Sequence, residues 1–71
     1  MINLKQAVDL ARNFLSSSAG MAMLFANLDS VAEKDGKWVV TFKYTPLLPA
    51  PVSLTVDIDK DTGEVLGFTK N

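Results

Sequence analysis

The chain has no cysteine and no histidine. Without cysteine there is no disulfide framework, no thiolate zinc site and no cysteine nucleophile, and the redox compartment stays open. Without histidine the commonest metal ligand, the usual general base near neutral pH and any Ser-His or Cys-His pairing are gone as well. The expectation is a domain with no catalytic residues, no cofactor and no metal. An excess of either charge sign is also missing. Seven basic and eight acidic residues are scattered along the chain, so there is no basic stripe for nucleic acid to bind. Long apolar runs are lacking too. The longest, residues 21–26, is far too short to span a bilayer. The N-terminus has no basic region followed by an apolar core and a cleavage site. As written, the chain is expected to be cytoplasmic, or extracytoplasmic if it is an excised mature domain.

What is present is enough for one small domain. Seventy-one residues lie near the lower limit at which a core without disulfide or metal offsets the entropy of folding. Ordering the chain costs on the order of 100 kcal/mol, at roughly 1.5 kcal/mol per residue. Nearly every strongly apolar side chain must therefore be buried, in the monomer or against a partner, and surplus apolar surface is informative.

Over residues 4–15, Leu4, Ala7, Val8, Ala11, Phe14 and Leu15 recur at helical spacing. Lys5, Gln6, Asp9, Arg12, Asn13 and Ser16 take the opposite side, and Leu10 falls at the edge of the polar face. Asn3 with Gln6 makes a capping-box pattern at the start. Ser16, Ser17, Ser18 and Gly20 weaken and then stop the helix. Residues 20–27, with Met21, Met23, Leu24 and Phe25, are expected to form a loop or a single turn. They would fill the core or make a soft partner-binding lip.

A first strand is expected at 28–34, then the Asp35-Gly36 hairpin signal and a second strand at 37–44. In the second strand Trp38, Val40, Phe42 and Tyr44 alternate with Lys37, Val39, Thr41 and Lys43, so the aromatic strip faces the helix. A two-residue turn pairs Val31 with Val40 and Ala32 with Val39. Residues 45–51 contain Pro46, Pro49 and Pro51, which force an extended link. In the third strand Val52, Leu54, Val56 and Ile58 alternate with Ser53, Thr55, Asp57 and Asp59, the pattern of a sheet buried on one face. A type I turn closed by a left-handed Gly63 leads to a last strand at 65–69. The fold class is α+β, one N-terminal amphipathic helix on a three- to four-stranded antiparallel meander, with residues 1–71 as a single domain.

The order helix, strand, Gly36-Lys37-Trp38-Val39-Val40, proline-rich link, Val56-Asp57-Ile58-Asp59, Thr62-Gly63-Glu64-Val65 and Gly67-Phe68 resembles the PepSY-like domains. That resemblance implies a non-catalytic module of the kind found in propeptides that inhibit their peptidases, and in other, often extracytoplasmic, proteins. The plan also resembles the O-type accessory protein of gas-vesicle clusters, in its tryptophan-bearing strand, intervening proline and Gly-Glu-hydrophobic-Gly-aromatic ending. This chain departs from the second family after Lys43, where Tyr44, Thr45 and Pro46 follow instead of arginine and acidic residues. Neither resemblance assigns a functional residue.

Two motifs suggest chemistry. Asp57, Asp59, Asp61 and Glu64 begin like a calcium loop, but counting from Asp57 puts Thr62 where glycine belongs and Phe68 where the bidentate glutamate belongs. These carboxylates read as solvent-facing strand and turn residues, and weak cation binding at Asp57, Asp59 and Asp61 is not expected. Asp57 and Asp59 would need burial to do acid-base work, and alternation exposes both. The Lys43 to Pro49 pattern matches an SH3 ligand formally, but it reads as a rigid connection. Its Leu47 and Leu48 would form an apolar knob if exposed.

Register supplies the partner expectation. If Asp59 pairs with Glu64, Ile58 opposes Val65 and Val56 opposes Gly67, which turns Leu66 and Phe68 to the face that holds Val39. Val39, Leu47, Leu48, Leu66 and Phe68 are then partner-binding residues. The expected function is a protein-interaction module that self-associates through the exposed sheet face as a homodimer. The alternatives are a PepSY-like inhibitory or regulatory domain and a structural assembly accessory protein. A bulge at Gly67 would instead return Phe68 to the core.

Overall fold

The fold begins with a reciprocal cap. In the computed structural model, which describes residues 1–18, 26–44 and 52–70, Asn3 Oδ1 accepts the Gln6 N–H at 2.8 Å and Gln6 Oε1 accepts the Asn3 N–H at 2.9 Å. This is the capping box that the spacing predicts, and it opens helix α1, Leu4–Asn13. Ala7, Ala11 and Leu15 recur at every fourth position and are wholly buried, so two small side chains let the helix lie close to the sheet. Val8, Leu10 and Phe14 flank that ridge, half-buried. The serine run competes locally for the helix's own carbonyls. The last turn widens into a π turn, Phe14–Ser18, and the hydroxyls of Ser16 and Ser17 donate back to the Asn13 carbonyl at 3.3 and 2.6 Å.

Four strands follow: β1, Ala26–Lys34; β2, Lys37–Tyr44; β3, Val52–Asp59; and β4, Val65–Lys70. Each pairs antiparallel with its sequence neighbour in the order β1-β2-β3-β4, an open meander with α1 on one face. Asp35 at φ 52° and Gly36 at φ 77° make the tight turn that the Asp-Gly pair predicts. The turn fixes Val31 opposite Val40 and Ala32 opposite Val39. β1 starts at Ala26, before the expected residue 28. It also carries one extra residue, Asp29, between the pairs Leu28–Phe42 and Ser30–Thr41. The expected loop at 20–27, apart from Ala26 and Asn27, lies outside the described residues. So does the link at 45–51, with Leu47 and Leu48.

Under the helix, Val40, Phe42, Leu54, Val56 and Ile58 are fully buried, and Val31, Trp38, Tyr44, Val52 and Val65 pack around them. Each fully buried side chain of this size contributes about 1.5–3 kcal/mol, and with no disulfide this layer carries most of the stability. The two ends of the helix are tied down separately. Ile2 N–H donates to the Lys60 carbonyl at 2.8 Å and the Trp38 indole N–H donates to the Ile2 carbonyl at 3.2 Å. Near the other end, the Arg12 guanidinium lies 5.4 Å from the centre of the Phe42 ring, an attraction worth about 0.5–1 kcal/mol at an exposed site.

Candidate interaction surfaces

The β3–β4 turn decides where the last apolar residues lie. Asp59 N–H donates to the Glu64 carbonyl at 2.7 Å and Gly63 N–H donates to the Asp59 carbonyl at 2.9 Å. Gly63 takes φ 79°, the left-handed position expected of it. Ile58 then opposes Val65, as the turn predicts, but the next pairs are Asp57 with Gly67 and Val56 with Phe68. Leu66 is the extra, unpaired residue of a bulge. The expectation that Phe68 shares the outer face with Val39 is therefore corrected. Phe68 sits on the helix face opposite the buried Val56, with its ring edge-on to Phe14 at 5.7 Å between centroids. The bulge lies one residue before Gly67. It satisfies the turn geometry and still gives Phe68 an aromatic neighbour.

With Phe68 gone, the paired residues of the outer face are mostly polar. Its registers align Ser30, Thr41, Thr55 and Thr69 in one row across all four strands, with the Thr41 and Thr55 hydroxyls 3.4 Å apart. Beside that row, half-buried Val39 stands between Ala32 and Asp57. Asp57 accepts a hydrogen bond from Lys37 Nζ at 3.1 Å. A face of hydroxyls and one ion pair is what a solvated side of a single-layer sheet looks like. The hydroxyl row is absent from the sequence reading. The first hairpin register already implies Ser30 beside Thr41, but placing Thr55 and Thr69 requires the relative register of strands joined by the proline-rich link and by a bulge.

The carboxylates of Asp57, Asp59 and Glu33 are occupied locally. Asp59 Oδ1 accepts the backbone N–H groups of Asp61 at 2.8 Å and Thr62 at 3.0 Å. These bonds, that from Thr62 foremost, hold its carboxyl below the usual carboxylate range. Glu33 pairs with Lys60 across the helix-side end of the sheet. Among the described residues, no three acidic side chains converge where they could hold a metal ion. No helix there is long and apolar enough to cross a membrane. The Glu33–Lys60 pair borders an open cleft of about 450 Å³, with Ile2, Leu4, Gln6 and Trp38 in its walls.

The two sheet edges differ. β1 carries Asp29, Glu33 and Lys34, and its bulge interrupts it near the middle. β4 has five uncharged residues, Val65 to Thr69, before its single charge, Lys70. Leu66 is 54% and Phe68 38% exposed there. Backbone direction follows from the ladder. Asp59 N–H points to β4, while Lys60 N–H points the other way, to the Gly36 carbonyl at 3.1 Å. Alternation then turns Asp57 and Thr55 toward Gly67 and Thr69, and leaves the N–H and C=O of Phe68 and Lys70 directed out of the sheet. Among the described residues no strand pairs with that side of β4. Comparison with protein-family models, with curated proteins and with solved structures gives no match.

Proposed function

We propose that the domain is a non-enzymatic protein-interaction module that meets its partner along β4. The observation that carries this reading is the outer edge of β4, where the backbone groups of Phe68 and Lys70 pair with no strand among the described residues and two apolar side chains, Leu66 and Phe68, are exposed. An edge strand with a five-residue uncharged run is a template for strand addition, in which main-chain hydrogen bonds supply affinity and alternate side chains supply selectivity. The chemistry of the chain supports binding over catalysis. It has no histidine or cysteine, and Asp57, Asp59 and Glu33 are held by Lys37, a turn and Lys60.

The reading is tested by affinity purification of the tagged chain from its own cells, in parallel with Leu66→Lys and Val39→Lys. A protein held by the parent chain and by Val39→Lys, but lost with Leu66→Lys, is the expected result. Loss with Val39→Lys alone would move the contact to the hydroxyl-bearing face and overturn it.

The same edge favours a second reading, an inhibitory module of the PepSY-like kind, because peptidase clefts take extended strands by backbone pairing. A peptidase inhibited by the domain and released by Leu66→Lys would support it.

A further inference from the structure

We infer that the partner on β4 is a second copy of this chain, paired antiparallel through β4 about a two-fold axis, so that the two sheets join into one. This deepens the interaction reading above and rests on it. The reason lies in the charges that bracket the strand. Glu64 immediately precedes β4 and Lys70 ends it, with only uncharged residues between them. A strand that is acidic at its start and basic at its end is its own complement when run antiparallel, since each copy brings its Lys70 to the other copy's Glu64. Like charges would meet only in a parallel arrangement. The Glu64 carbonyl is taken by Asp59 and Leu66 is the bulge residue, so the outward groups at Phe68 carry the backbone pairing and the end charges meet through their side chains. The contact covers Leu66 and Phe68, the two exposed apolar residues of the strand, in both copies at once. An isologous contact of this kind closes on itself and stops at two copies. β1 offers no such match, because its three charges and its bulge obstruct an incoming strand.

Charge reversal tests the pairing. Sedimentation equilibrium of the parent chain is expected to show a dimer at high micromolar concentration. Glu64→Lys and Lys70→Glu, each alone, place like charges together at both ends of the pair, and each is expected to weaken dimerisation about tenfold. The double reversal, Glu64→Lys with Lys70→Glu, restores opposite charges and is expected to recover most of that loss. Both positions are exposed, and circular dichroism checks that the variants stay folded. A monomer at every concentration, or single reversals that leave the dimer unchanged, would overturn the inference. So would a double reversal no better than its parts. A chain that stays monomeric yet holds another protein through Leu66 would sink the second-copy inference and leave the interaction reading standing. A chain that does neither would sink both.

Discussion

Gly36 and Gly63 hold nearly the same backbone, at φ +77° and +79°, in different surroundings. A Cβ added at Gly36 would meet nothing within 4 Å, whereas one at Gly63 would come to 3.2 Å from Leu10 Cδ1 and 3.5 Å from Ile2 Cγ2. The left-handed conformation costs an L-residue about 1–2 kcal/mol at either position. At Gly63 the crowding adds to it, because Ile2 is held by two hydrogen bonds and Leu10 is half-buried under the turn. Gly63→Ala is therefore expected to destabilise the domain more than Gly36→Ala, by about a further 0.5–1 kcal/mol in urea titrations. Equal losses would show that the helix does not press on the β3–β4 turn. Leu10 also explains what helical periodicity hides at this scale. It stands at the edge of the polar face in the sequence, yet it packs, because the sheet brings a turn up beside the helix and not only a face beneath it.

Among the elements, β4 departs furthest from the register that its turn implies. The helix, its cap, the first hairpin and the alternation of β2 and β3 are legible because each follows from short-range chemistry. A capping box needs only Asn3 and Gln6, and a two-residue turn at Asp35-Gly36 dictates every pair up to Ser30. Period-two alternation in Val65 to Thr69 fits two registers equally well. The register found brings Phe68 to the distant Phe14, which no local pattern connects to it. The bulge at Asp29 is hidden for a similar reason, since it brings Leu28 opposite Phe42 after the turn has already set the upper part of β1. The placement of Phe68 can be measured through its neighbour. A double-mutant cycle with Phe14→Leu and Phe68→Leu is expected to give a coupling energy of about 0.5–1.5 kcal/mol, the range for edge-on aromatic pairs. Phe14→Leu with Val39→Ala, across the sheet, is expected to be additive. Additivity for both pairs would return Phe68 to the outer face.

At the scale of the whole molecule the sheet is open, and its two edges carry opposite risks. Among the described residues, a helix on one side and hydroxyls on the other leave the edges for unwanted strand pairing, and β1, Ala26–Lys34, is the longer of the two. Its protection is concentrated at Asp29, which supplies a charge and the bulge that twists the strand. Deleting Asp29 would remove both and keep every existing pair, since Leu28 already opposes Phe42 and Ser30 already opposes Thr41. The variant is therefore expected to fold with a stability within about 1 kcal/mol of the parent, because no core contact is lost. It should nevertheless aggregate faster on warming, followed by light scattering, because nine residues of bulged, charged edge become a straight strand with one acidic group fewer. Replacing Asp29 with Asn separates the two protections by deleting the charge and keeping the bulge. It should scatter less than the deletion if backbone shape guards the edge, and as much if charge does. A deletion variant that stays as soluble as the parent would show that β1 is guarded by Glu33 and Lys34 at its far end, and that the bulge serves only to seat Leu28.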